Sequence, residues 1–167
     1  MITINQINDL LGIKESYQAP DKMLKIMLDK IQRENLFNAF LEIEPNLDYE
    51  WFQAYFENEH ADRKNKKQDF TPKSVSKLLA KIVGNGDYFE TAAGNGGILI
   101  QNWVENPNRE FHAEELSERS VPFLLFNMAI RNMSGEIKNG DSLTDEFTKV
   151  FKLTKGDKFS EVEVYEL

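Results

Sequence analysis

Three chemically suggestive features follow one another along the chain: the glycine-rich stretch ETAAGNGG at 90–97, the carboxylate of Glu115 and the carboxylate of Asp141. The stretch leaves a strand-like run, DYFETA, and opens onto a helix-like run, GGILIQNWVE. Gly94, Gly96 and Gly97 therefore occupy a strand-to-helix turn, where glycine permits positive φ and close approach of the backbone to a ligand. A phosphate loop would end in Gly-Lys-Ser/Thr, but here the chain runs on into Ile98 and Leu99. A dinucleotide fingerprint would place a glycine at position 99, which is leucine. Neither phosphate signature is met, which leaves an adenosyl cofactor or an ordinary tight turn.

Spacing favours the cofactor. Glu115 lies 18 residues beyond Gly97, at the end of a second predicted strand, where a carboxylate can accept both hydroxyl hydrogens of a ribose. Asp141 ends a third predicted strand in NGDSL, where it can accept from an adenine amino group. Taken singly, Glu115 reads as a solvated strand end and Asp141 as a turn residue. Taken together with the glycine loop, they fall at the carboxyl ends of successive strands, where open α/β sheets bind ligands.

The elements that position these residues alternate. QDFTPKSVSKLLAKIVGNGD predicts a helix with Thr71 as N-cap and Pro72 in the first turn, ended by Gly84 and Gly86. Strand DYFETA, helix GGILIQNWVE, turn ENPNRE, strand REFHAEEL, helix SERSVPFLLFNMAIRNM and a short strand in GEIKNGDSL follow. This pattern predicts right-handed βαβ crossovers and a partial parallel sheet of about three or four strands. The terminal EVEVYEL alternates valine with glutamate, which suits an edge strand or one with a wet face. The fold class is α/β, with the sheet in residues 61–167.

Residues 1–60 predict a small helical region. PDKMLKIMLDKIQRENLFNAFLEI at 20–43 reads as one helix, with Met23, Met27, Ile31 and Phe40 near one face beside Leu24, Leu28 and Leu36. In NLDYEWFQAYFENEH the aromatics form an apolar helical stripe, read as core between helices, with a partner-docking face as the alternative. The first 60 residues carry 11 acidic and 5 basic side chains, so no basic face suits autonomous nucleic-acid binding. The one dense basic run, Arg63, Lys64, Lys66 and Lys67, reads as a solvated connector. With no cysteine and only His60 and His112, thiolate chemistry and a zinc site are not expected. The absence of a long apolar run or a signal-like N-terminus predicts a cytoplasmic protein without a membrane span.

QDFTP, ETAAGNGG, HAEEL and NGDSL, in this order, resemble the S-adenosylmethionine motifs of adenine-specific (N6) DNA amino-methyltransferases, especially modification subunits of type I restriction systems. The resemblance covers roughly residues 60–143. It implies a class I methyltransferase (Rossmann-like) fold with S-adenosylmethionine as cofactor. It also implies that Phe70, Thr71 and Pro72 contact the methionine end, whose carboxylate a helix N-terminus can receive. Glu90, Ala92, Gly94, Gly96 and Gly97 would form the loop under the cofactor, Glu115 would hold the ribose and Asp141 the adenine. Where the family has Asp-Pro-Ala-Cys-Gly-Ser-Gly-Gly, this chain has Glu90, Thr91, Ala93 and Asn95 in place of Asp, Pro, Cys and Ser.

The family transfers methyl with an Asn/Asp-Pro-Pro-aromatic motif that grips the target amino group and stacks on the flipped base. This chain has no Pro-Pro, and Asn106-Pro107 falls in a turn before the second strand. No catalytic residue is assigned, and His112 is read as packing or capping a strand. Three functions follow: a methyltransferase subunit or fragment completed by another polypeptide, a cofactor-binding regulator that mimics a modification subunit, or an interaction module built on the acidic helices. In each the expected partner is a protein, with DNA reached through it.

Overall fold

The structure is a computed structural model that describes residues 2–59 and 70–167, with the side chains of residues 58 and 59 left out. His60 and the basic run at 63–67 lie outside the described residues. The N-terminal part comprises α1 (Ile4–Leu11), a 3-10 turn (Ser16–Gln18), α2 (Ala19–Met27), α3 (Lys30–Ile43) and α4 (Gln53–Glu59). Then come α5 (Lys73–Ile82), β1 (Tyr88–Glu90), α6 (Gly97–Glu105), β2 (Glu110–Glu115), α7 (Val121–Ile130), β3 (Ser134–Asp141), β4 (Glu146–Thr154) and β5 (Glu161–Glu166).

The expected helix over 20–43 is two helices. Asp29 interrupts it: extended at φ −105° and ψ 113°, it caps α3 by accepting the Gln32 N–H at 2.9 Å. The break turns Ile31 and Leu28 outward, whereas Met23, Met27, Leu36 and Phe40 stay buried. The aromatic stripe is helical only from Gln53. Residues 44–52 form an irregular segment, and Trp51, Phe52, Tyr55 and Phe56 are buried as core. At α5 the N-cap is Pro72 rather than Thr71, with no side-chain capping bond, because Pro72 itself is extended at ψ 141°.

The sheet has five strands in the order β1-β2-β3-β4-β5. Two βαβ units make β1, β2 and β3 parallel, through α6 and α7, as the alternation predicts. β4 and β5 then return antiparallel, so the sheet is mixed and not wholly parallel. The short turn 142–145 after β3 leaves no room for a crossover helix, and only an antiparallel return is possible. β5 is the edge the alternating glutamates suggested. Glu161 is hydrogen-bonded to Lys30 and pairs with Arg33 at 3.4 Å, tying this edge to α3.

α7 joins the two parts. All ten of its residues are buried, and a helix apolar on every side must be covered on every side. β3 and β4 cover one side and α2 another. Phe126 meets the rings of Phe37, Phe40 and Phe52 at centroid distances of 5.0, 4.8 and 5.0 Å. The resulting core is one continuous cluster from Ile2 to Phe159. At the other edge β1 pairs only with β2, and Phe89 there is 58% exposed. Neighbouring α5 exposes Leu78 and Ile82. Among the described residues no helix is long and apolar enough to cross a membrane.

Candidate functional site

A cavity of about 330 Å³ opens at the carboxyl ends of β1 and β2, within the size range of small-molecule sites. Phe70, Thr71, Glu90, Ala92, Gly94, Gly97 and Glu115, all singled out from the sequence, line it. Pro72, Gly96 and Asp141 do not. Pro72 caps α5, and Gly96 faces Leu124. Asp141 ends β3, where its Oδ1 accepts the Leu143 N–H at 2.8 Å in a tight turn.

The loop is shaped by a run of left-handed residues, Ala92 at φ 56°, Gly94 at 58° and Gly96 at 90°. Gly96 is the position that demands glycine most. It caps α6 in the left-handed region, and a Cβ there would stand 2.8 Å from Leu124 Cδ1. The loop is pinned to β2 at two points. The Ala93 N–H donates to the Glu114 carbonyl at 2.9 Å, and the Gly94 N–H donates to Glu115 Oε2 at 2.7 Å. The other carboxylate oxygen of Glu115 accepts the Ser117 N–H at 2.7 Å. A carboxylate offers about four lone-pair sites, so these bonds fix the side chain in place while it faces the cavity. Asn139 of β3 steadies the strand end by donating to the Glu115 carbonyl at 2.8 Å.

Glu90 is arranged differently. Its Oε2 accepts the Tyr88 hydroxyl at 3.0 Å, and it also accepts the Leu99 N–H in the first turn of α6. Burial, reinforced by the nearby charge of Glu115, raises its pKa to about 7. Burial likewise raises the Tyr88 hydroxyl, with Glu90 adding to the effect.

The sequence did not mark Glu50, Gln53, Phe56, Ile98, Leu116, Ser117 or Ser120, which complete the lining. Glu50 is the most consequential. Its Oε1 accepts the Phe52 N–H at 2.7 Å and the Asn127 side-chain amide at 2.8 Å. The same amide donates to the Asn95 carbonyl at 2.9 Å, linking Glu50 to the glycine loop. Arg131 secures the segment that carries it, donating to the carbonyls of Leu47 (2.9 Å), Tyr49 (2.7 Å) and Asn127 (2.7 Å). It also lies over the Trp51 ring. Burial raises the Glu50 pKa to about 7 and lowers that of Arg131 to about 9. The sequence signal was slight: one acid between aromatics, in a segment read as helix.

A second chamber of about 310 Å³ adjoins the first, sharing Glu50, Gln53, Thr71 and Gly97 and adding Tyr49, Lys73 and Gln101. His112, half-exposed, stands away from both chambers with Nδ1 3.5 Å from Glu136. No group among the described residues could hold a metal ion.

This arrangement can hold a polyhydroxylated, positively charged molecule, with hydroxyls at Glu115 and cationic groups toward Glu50 and Glu90. Compared with known proteins, the chain matches a family model described as N-6 DNA methylase over residues 47–162. No curated protein and no solved structure matches it.

Proposed function

The chain belongs to the N-6 DNA methylase family, adenine-N6 DNA methyltransferase-like proteins, and on that premise we propose that it binds S-adenosylmethionine in the cavity beneath the glycine loop. The observation that carries this reading is Glu115. Its carboxylate joins β2 to the loop through the Gly94 N–H and faces the cavity, as a ribose-binding acid must. Leu116, 58% exposed on the cavity wall, offers an apolar face to the adenine. The first N–H groups of α6, at Gly97 and Ile98, lie toward the methionine end. Asp141 contributes less to this reading, since its carboxylate is engaged by Leu143 outside the cavity lining. When bound, the cofactor supplies an electrophilic methyl group; the residues described here hold and orient it.

The same proposal assigns methyl transfer to residues from another polypeptide. No Pro-Pro is present to grip an extruded adenine. The outer edge of β1 with exposed Phe89, beside Leu78 and Ile82 of α5, is suited to receive further apolar structure. A restriction-modification subunit fits that role and would bring the DNA contacts. A cytoplasmic location belongs to the same reading. A regulator that mimics a modification subunit would share the cofactor site and differ in never restoring activity.

Isothermal calorimetry with S-adenosylmethionine tests the first part. Micromolar binding lost in Glu115→Ala supports it, and no heat from the wild-type chain at any concentration removes it. Tritiated-methyl transfer to DNA then tests the second part. Transfer by the lone chain would overturn the assignment of catalysis to a partner, and transfer only with an added subunit would separate a methyltransferase from a regulator.

A further inference from the structure

Resting on that cofactor reading, we propose that Glu50, and not Glu90, holds the ammonium group at the amino-acid end of the ligand. Both acids line the cavity, so the choice between them depends on what already occupies their oxygens. Glu90 is committed to the fold. It takes the Tyr88 hydroxyl and the Leu99 N–H, so it fixes the start of α6 to β1. Glu50 is committed on one oxygen only. Oε1 takes Phe52 and Asn127, while Oε2, shielded from water, has no hydrogen-bond donor at all.

A buried carboxylate oxygen without a donor is costly to leave so and is uncommon in folded proteins. No neighbouring cation relieves it. The Arg131 guanidinium attracts the charge from nearby but directs its N–H groups to the carbonyls of Leu47, Tyr49 and Asn127 and to the Asn127 side chain. Among the described residues, none stands within ion-pair distance of Glu50.

Position agrees with charge. Glu115, Leu116, Ser117 and Ser120 line the first chamber alone, whereas Glu50 lies on the wall shared with the second. A ligand whose ribose is held by Glu115 directs its tail toward that shared wall. The tail brings the ammonium that Oε2 lacks, in surroundings where a charge-assisted bond is stronger than at an open surface. Lys73 on the second chamber supplies the opposite charge for the tail's carboxylate.

The test compares S-adenosylhomocysteine with its deamino analogue, which lacks only the ammonium, by calorimetry on the full chain. The wild type is expected to prefer S-adenosylhomocysteine by about tenfold or more. Glu50→Gln should reduce that preference to about twofold or less while leaving affinity for the deamino compound unchanged, and Glu90→Gln should retain it. The deamino affinity doubles as a check that the variant is folded. Equal weakening of both ligands by Glu50→Gln would reveal a structural role and overturn the inference. So would a preference that survives Glu50→Gln or vanishes in Glu90→Gln. Equal wild-type binding of the two compounds, which needs no variant, would remove the ammonium contact yet leave the cofactor reading standing. If the wild type binds neither, both fall together.

Discussion

Glu115 and Gly94 are joined by a 2.7 Å hydrogen bond, so the side chain that faces the cavity also sets the loop that forms its floor. Binding and local stability are therefore coupled through one carboxylate. Glu115→Ala should cost about 1–3 kcal/mol of folding stability by leaving the Gly94 and Ser117 N–H groups without an acceptor, in addition to losing ligand affinity. Denaturant titration reads the first effect and calorimetry the second. A variant that loses affinity at unchanged stability would mean that the loop holds its shape without Glu115.

Asp141→Ala gives the contrast. Its carboxylate is engaged by the Leu143 N–H outside the cavity lining, so the substitution should weaken cofactor binding less than Glu115→Ala does. The two dissociation constants, measured side by side, check the order.

Three glycines should respond to alanine in a graded way. At Gly94, φ is +58° and nothing lies within 4 Å of an added Cβ, so only backbone strain of about 1 kcal/mol is expected. Gly96→Ala adds a clash with Leu124 Cδ1 at 2.8 Å and should cost about 1–3 kcal/mol. Gly135→Ala should be worst, because its Cβ would stand 1.8 Å from the Phe111 carbonyl oxygen in the adjoining strand. Urea midpoints of the three variants provide the ranking.

Arg131→Met should be destabilising by about 3 kcal/mol or more, since it leaves the Leu47 and Tyr49 carbonyls without their donor inside the fold. It should also loosen the segment carrying Glu50. Hydrogen exchange localised to residues 44–52 would report that release, and unchanged protection there would argue that the aromatic packing suffices.

Glu50 and Glu90 set a pH dependence. Both have pKa values raised by burial from 4.5 to about 7, so the folded state retains protons that the unfolded chain has released. Stability of the ligand-free protein should therefore fall as pH rises from about 4.5 to about 7, and be lowest above that window. Melting temperatures at pH 5.5 and pH 8 measure the slope. The double variant Glu50→Gln, Glu90→Gln should flatten it.

The sheet's first three strands and the glycine turn were legible because each is encoded locally, by apolar runs bounded by glycine and acidic residues. β4 was not. In EFTKVFKLT the buried Phe151 and Leu153 are separated by lysine, and the run becomes a strand by pairing with β3. The break at Asp29 was hidden by apolar residues that continue the helical spacing on both sides of it. The loop residues of the site were readable as a group, yet Glu50 was not, because its meaning depends on Asn127 and on the loop it reaches through that amide. Long-range partnership leaves little trace in local spacing.

The apolar circumference of α7 bears on how such a chain can be inherited. A recombination event with its crossover between residues 59 and 70 that passed on only the later segment would deliver α7 without α2 and α3, and Phe126 without the rings it packs among. Exchange at that point selects against itself, so the helices and the strands should descend through lineages as a linked pair.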